Sequence, residues 1–134
     1  MPHQGAMCLL DSVEAWSSDG IVCRALSHLA PDNPLRHSGV LGGVSGVEYG
    51  LQAAALHGAL CAGRPSPPGY LAGLRDVKID IIRLDDPALG TLRVAAAVEL
   101  SVPTGVIYHF DIASQSGRSL IRGRTIIVMP ADEA

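Results

Sequence analysis

Hydrophobic and polar residues alternate with a period of two along the second half of the chain, after Tyr70. This period is typical of β-strands that bury one face and expose the other. Short turn-forming segments separate the alternating stretches, as at Pro103–Gly105 and Gln115–Gly117. The pattern predicts four strands, at Val77–Ile82, Leu92–Leu100, Ile107–Ala113 and Ser119–Met129.

The first half of the chain combines a hairpin pattern with one long helical segment. Two apolar-rich stretches, Cys8–Trp16 and Ile21–Leu26, flank a Ser-Ser-Asp-Gly turn and predict a β-hairpin. A loop with two prolines follows at Ser27–Gly39, and a helix is predicted over Gly43–Ala62. The helix ends before the Gly- and Pro-rich segment Gly63–Gly69, because proline cannot continue a helix.

Small residues recur every three to four positions along the predicted helix, at Gly43, Gly46, Gly50, Ala54 and Gly58. Glycine costs a helix about 1 kcal/mol relative to alanine, so this stripe indicates that another element packs closely against it. A curved sheet around the helix would do so. The sequence predicts an α+β protein with one domain over residues 1–134. Its layout is the hot-dog fold, in which a curved antiparallel β-sheet wraps around one long central helix.

The composition excludes several classes of protein. Of the 134 residues, 48% are hydrophobic and 17% are charged, which excludes a disordered chain. A net charge of −3 and an aromatic content of 4% argue against nucleic acid as a partner. No apolar run approaches the roughly 18 residues that span a bilayer, and residues 1–4 do not resemble a signal peptide. We therefore expect no membrane partner.

Three cysteines, Cys8, Cys23 and Cys61, are widely spaced and odd in number. They match neither a zinc-binding pattern nor a disulfide framework. Reduced thiols of this kind are typical of a cytoplasmic protein. The histidines show no metal-ligand spacing either, so we expect neither a metal site nor a cofactor.

Glu48 and Gln52 are the candidate chemical groups on the helix. They are four residues apart and therefore share one helix face. The surrounding positions are almost all apolar or glycine, and burying a lone carboxylate there is costly unless it is paired or takes part in chemistry. A structural alternative is an acid placed near the helix N-terminus, where the helix dipole favours negative charge.

Three motifs resemble the hot-dog 3-hydroxyacyl-acyl-carrier-protein dehydratases, and most of all the dehydratase-like proteins of aryl-polyene gene clusters. Pro2–Val13 is similar to the family's opening segment, and Asn33–Leu35 to its loop before the helix. Gly46–Ala53 is similar to the helix motif that carries Glu and, four residues later, Gln. Each motif alone is weak, but their order and spacing cover nearly the whole chain.

The resemblance implies dehydration of 3-hydroxyacyl thioesters to trans-2-enoyl thioesters. Glu48 corresponds to the general acid that acts on the leaving hydroxyl, and Gln52 to a glutamine that orients this acid or orders a water. Backbone N–H groups at the helix start, at Gly43 and Val44, would hold the thioester oxygen. His3 lies in the opening motif and would line the tunnel or the dimer interface.

The histidine base departs from the family pattern. The family usually carries Gly-His-Phe-Pro before the helix, whereas this chain has Leu-Arg-His-Ser-Gly at 35–39. Three alternatives stay open here. His37 could be the base in a shortened loop, His28 could act from the end of the second strand, or the chain could lack a base. In the last case it would be an acyl-binding or partner-stabilising subunit. A hot-dog thioesterase is a further alternative.

The partners implied by the resemblance are acyl carrier protein, or another acyl thioester substrate, and a second hot-dog subunit. This subunit could be a second copy or a related chain, and dimers could assemble further. Basic groups near a tunnel mouth would attract an acidic carrier protein, although each of them could equally be an ordinary surface residue. The candidates are Arg36, Arg64, Arg75, Lys78 and Arg83.

Overall fold

A computed structural model describes residues 8–63 and 70–129 of the chain. Its regular elements are six strands and one α-helix. In chain order they are β1 (Ser12–Ser17), β2 (Gly20–Ala25), α1 (Gly46–Ala62), β3 (Tyr70–Ile79), β4 (Leu92–Val102), β5 (Gly105–Ala113) and β6 (Ser119–Val128).

The six strands form one antiparallel sheet in the order β1-β2-β4-β5-β6-β3. The predicted hairpin forms β1 and β2, and Trp16 pairs with Ile21 across it. Strands β4, β5 and β6 pair in sequence through short turns, whereas β3 crosses over to pair with β6 at the edge of the sheet. The helix lies against β2, β4, β5 and β6. The predicted hot-dog fold, a curved sheet around one helix, is confirmed.

Close packing between the helix and the sheet explains the stripe of small residues. A Cβ atom on Gly50 would lie 2.6 Å from Cδ1 of Phe110 on β5, and one on Gly46 would lie 2.4 Å from Cδ1 of Ile121 on β6. Both partner side chains are fully buried. The absence of a side chain on these glycines therefore lets the helix backbone pack directly against the side chains of the sheet.

The helix begins slightly later than the sequence predicts. Gly43–Ser45 form a turn of 3-10 helix, and α1 starts at Gly46. The C-terminal end matches the prediction, because Gly63 has a φ of 69° and its N–H donates to the carbonyl of Leu60. Glycine adopts this left-handed conformation readily, which makes it a common residue after the last helical turn.

Strand β3 ends before the predicted alternation does. It stops at Ile79, and the following residues leave the sheet to run beside the start of the helix. The carbonyl of Ile82 accepts a hydrogen bond from Gly43 N at 2.8 Å, and Leu84 N donates to the carbonyl of Leu41 at 2.8 Å. The hydrophobic pattern at 77–82 is therefore shared between a strand and a segment that fixes the helix start.

The described residues contain no helix that is both long enough and apolar enough to cross a membrane.

Candidate active site

Glu48 lies in the first turn of α1 and is half-buried. Two other acidic residues of the described segments are neither fully buried nor exposed, and both are hydrogen-bonded: Asp85 to Arg36 and Asp111 to Ser119. The Glu48 carboxylate has no hydrogen-bond or ion-pair partner among the described residues. An acid in the first helical turn is stabilised by the helix dipole, and this one stays available to a ligand.

The turn before the helix contains the two backbone donors that the resemblance implies. The N–H of Gly43 is already bonded to the carbonyl of Ile82, at 2.8 Å. The N–H of Val44 makes no bond to a backbone carbonyl within the described segments, and its side chain is 66% exposed. Val44 lies four residues before Glu48, in the 3-10 turn that leads directly into the first turn of α1. Of the two predicted donors, the N–H of Val44 is therefore the one that is free, within the described segments, to donate a hydrogen bond to a ligand oxygen.

Gln52 is buried, and its side chain reaches the N-terminal segment. Its Oε1 accepts a hydrogen bond from the backbone N–H of Leu9 at 2.9 Å. This amide oxygen therefore joins the second turn of α1 to the chain before β1. The role in orienting Glu48 stays a prediction.

His37 is exposed at one end of a tight turn. Its N–H donates to the carbonyl of Val40 at 2.8 Å, and Val40 N donates back to His37 at 3.0 Å. Between them Ser38 and Gly39 both have positive φ angles, 52° and 77°. Two successive residues of this kind form a two-residue hairpin turn, which holds His37 at the surface of the described residues.

His28 is completely buried, and neither ring nitrogen has a hydrogen-bond partner of normal geometry among the described residues. Burial lowers the pKa of His28, and the backbone of Gly90 and the charges of Asp11 and Asp85 oppose this change only in part. A substrate has no access to a ring in this position. His3, the other histidine of the predicted site, lies outside the described residues.

His57 is buried in a network that the sequence analysis did not identify. Its Nε2 lies 2.7 Å from the carbonyl oxygen of Ser17, and its Nδ1 lies 2.7 Å from the hydroxyl of Tyr108. Since a carbonyl only accepts, Nε2 carries the proton in the neutral ring and Nδ1 accepts from Tyr108. The ring therefore connects α1 to β1 and β5 as a structural group.

An apolar surface borders the start of the helix on the side of β3, the outer strand of the sheet. Val44, Ile79 and Ile82 are all exposed, and Ile82 is 90% exposed. A Cβ atom on Gly43 would lie 3.0 Å from Ile79 Cγ2, so these side chains lie close to the helix start. Exposed apolar residues on an unpaired edge strand are typical of a surface that another chain covers.

A separate cavity of about 400 Å³ lies over the hairpin and the adjoining strands, and none of the predicted site residues lines it. Its floor is made largely of small residues of β2 and β4, and His109 and Asp111 contribute from β5.

The four predicted basic residues that the structure describes fall into two groups. Arg36 and Arg83 both pair with the same carboxylate, that of Asp85. Arg75 and Lys78 lie exposed on β3 and form no ion pair with a described residue. Arg64 lies outside the described residues. Of the predicted basic residues that the structure describes, Arg75 and Lys78 are therefore the two without an ion pair to a described residue. No group of three or more potential metal ligands occurs among residues 8–63 and 70–129.

A family model described as ApeP dehydratase matches residues 1–134. The chain belongs to the ApeP dehydratase family. It is therefore a dehydratase, a hydro-lyase, as the three sequence motifs indicated. A comparison with curated proteins finds no match.

Solved structures agree on the fold. The dehydratase heterocomplex ApeI:P from Xenorhabdus doucetiae matches with a TM-score of 0.81 and 21% identity, over 98% of this chain and 89% of that chain. A thioesterase from Staphylococcus aureus matches with a TM-score of 0.62 and 17% identity, over 89% and 93%. Thioesterase superfamily member 2 from zebrafish matches with a TM-score of 0.63 and 12% identity, over 88% and 80%. At these identities the likeness shows the hot-dog fold alone.

Proposed function

We propose that this chain, together with a second hot-dog subunit, dehydrates 3-hydroxyacyl thioesters on acyl carrier protein to trans-2-enoyl thioesters. The observation that carries the proposal is Glu48, a half-buried carboxylate at the start of α1 that no described residue engages. The ApeP dehydratase family supports the reaction class. Three free thiols support a cytoplasmic location.

The proposed reaction removes a proton from C2 and the hydroxyl from C3 of the acyl chain. A base takes the C2 proton, and the electron pair of that C–H bond becomes the C2=C3 double bond as the C3–O bond breaks. Glu48 gives its proton to the departing oxygen, which leaves as water. Negative charge that develops on the thioester oxygen is stabilised by the N–H of Val44 at the positive end of the helix dipole.

His37 is proposed as the base. What supports this proposal is its exposure on a tight turn, which leaves the ring accessible to a second subunit. His28 is not proposed, because its ring is fully buried.

The second subunit is proposed to cover the apolar surface beside Glu48. Ile79 and Ile82 border the helix start, and β3 is paired on only one side among the described residues. A second antiparallel edge strand would satisfy that edge and enclose Glu48 in a dry cleft. The likeness to the ApeI:P heterocomplex supports a related hot-dog chain as the partner, and a second copy of this chain is the other possible outcome.

Dehydration of a short 3-hydroxyacyl carrier-protein thioester, followed by mass spectrometry for loss of water, tests the proposal. The chain is assayed alone and with a co-expressed hot-dog partner. We expect turnover that Glu48→Gln abolishes and Asp111→Asn retains, since Asp111 is an equally half-buried carboxylate that is hydrogen-bonded on β5. Loss of activity in His37→Ala would assign the base to this chain, whereas retained activity would assign it to the partner.

Two results would overturn the proposal. One is wild-type turnover that survives Glu48→Gln. The other is release of a free acid in place of the enoyl thioester, which would indicate hydrolysis by a hot-dog thioesterase.

A further inference from the structure

A largely buried ion pair joins the loop that carries His37 to the segment after β3. Arg36 Nη1 lies 2.9 Å from Asp85 Oδ2, and the two side chains are only 14% and 5% exposed. The partners are 49 residues apart in the chain. Replacing Asp85 would leave the charge of Arg36 uncompensated away from water, so the pair holds the two segments together.

Arg36 also binds the backbone at both ends of its own loop. Its Nε donates to the carbonyl of Ala30 at 2.8 Å, its Nη1 to Gly39 at 2.9 Å, and its Nη2 to His28 at 3.3 Å. Gly39 belongs to the turn that presents His37. The planar guanidinium therefore fixes this turn relative to the chain that leaves β2.

Asp85 also links this loop to the start of the helix. The segment that ends at Asp85 runs beside the residues before α1, where Gly42 and Arg83 form an isolated β-bridge. Next to it, Leu84 N donates to Leu41 O at 2.8 Å. A shift of this segment would move residues 41–43, which lie directly before Val44.

We infer that the Arg36–Asp85 pair is a positioning element for the proposed dehydration. It sets the His37 turn relative to Val44 and Glu48 without contacting the substrate. This inference rests on the proposed function, because it assigns the pair a role in that same site.

Arg83 offers a matched control. Its Nε and Nη2 bind the two oxygens of Asp85 at 3.0 and 2.8 Å, so its replacement removes the same kind of charge from the same carboxylate. The Arg83 side chain is 57% exposed, and none of its hydrogen bonds reaches the loop over residues 27–40. Arg83→Gln therefore separates loss of an ion pair from loss of the loop contacts.

The experiment measures kcat and KM for the carrier-linked substrate with the assembled enzyme, at a temperature where circular dichroism shows each variant folded. We expect Arg36→Gln and Asp85→Asn to lower kcat by about tenfold or more, since misplacement by an ångström reduces rates strongly. KM should stay within about twofold. Arg36→Lys keeps the charge, but its single nitrogen lacks the planar fork that reaches the separate carbonyls and Asp85, so its kcat should be intermediate. Arg83→Gln should retain the wild-type kcat.

The outcomes separate this inference from the proposed function. Wild-type kcat in both Arg36 variants, or an equal loss in Arg83→Gln, would overturn the positioning role while the dehydration stands. If Asp85→Asn fails to fold, Arg36→Lys against Arg83→Gln decides the question. An inactive wild-type assembly would refute the proposed function, and the positioning role with it.

Discussion

The amide oxygen of Gln52 accepts a hydrogen bond from the backbone N–H of Leu9, which lies 43 residues earlier in the chain, at 2.9 Å. Both residues are buried. This bond connects the second turn of α1 to the chain before β1. Gln52, the glutamine of the Glu-to-Gln motif, therefore has a structural role: it holds the N-terminal segment against the helix.

Gln52→Leu should lower the free energy of unfolding by about 1–3 kcal/mol, because the buried N–H of Leu9 loses its acceptor. Urea unfolding measures the effect. The matched control is Gln115→Leu, since Gln115 Oε1 accepts from Thr91 N at 3.0 Å in an exposed position where water can replace it. Equal losses in the two variants would contradict the role of burial.

Two glycines of the same helix should respond in opposite ways to alanine. Gly50→Ala should destabilise the fold by about 1–3 kcal/mol, because the new Cβ would lie 2.6–3.0 Å from three atoms of the buried Phe110. A Cβ atom on Gly58 would meet no neighbour among the described residues within 4 Å, so Gly58→Ala should stabilise the helix by about 0.5–1 kcal/mol. Thermal or urea unfolding of both variants tests this, and a stabilised Gly50→Ala would show that the sheet does not pack so closely.

His28 should make stability depend on pH. Its folded pKa lies below the ordinary value of 6.5 because the ring is buried. Between that folded pKa and about 6.5 the unfolded chain binds more protons, so the free energy of unfolding should fall as the pH is lowered through this range. Urea unfolding from pH 8 to pH 5 measures the slope.

His28→Leu should remove this part of the pH dependence. At pH 8 its stability should stay within about 1 kcal/mol of wild type or exceed it, because two buried nitrogens without a partner of normal geometry among the described residues are replaced by an apolar group. The exposed His37→Leu serves as the control and should keep the wild-type slope. An unchanged slope in His28→Leu would assign the pH dependence to other groups.

A charge on the edge strand should disrupt the proposed assembly. Ile79→Lys on β3 places an ammonium where the second subunit is proposed to pack, so light scattering should show a smaller mass and the dehydration rate should fall at least about tenfold. Val13→Lys on β1, the opposite edge, is matched in exposure at 39% against 41% and should change neither quantity. The reverse result would move the interface to β1.

Most of the correctly predicted elements follow from hydrophobic periods and turn residues within short stretches of the chain. The alternation at Leu92–Leu100 appears as β4, and the helix ends at the expected glycine. Strand β3 was less well placed, because the alternation at 77–82 continues past the point where the chain leaves the sheet. The bonds that draw Ile82 and Leu84 to the helix start join segments about 40 residues apart, and no local period records them.

In the candidate site, too, some residues could be predicted from the local sequence and others depend on distant contacts. Glu48 could be named as a candidate from the sequence, because a carboxylate is costly to bury within an apolar helical stretch. His28 and His37 could not be told apart in this way, since both lie in one loop of mixed polarity. The structure buries the first and exposes the second. Arg36 looked like a surface charge, and its partner Asp85 could not be inferred from spacing.

By itself, the sequence determined the order of strands and helix, the close approach at the glycine stripe, the Glu48–Gln52 pair and the dehydratase family. These follow from periods of two and of three to four residues and from motifs, all of which act over short stretches of chain. Only the tertiary structure decided that His28 is buried and that Arg36 pairs with Asp85. It also decided that the N–H of Gly43 is hydrogen-bonded, whereas that of Val44 makes no backbone hydrogen bond within the described segments. Burial and hydrogen bonding depend on segments brought together from distant parts of the chain, so they exist only once the sheet has closed around the helix.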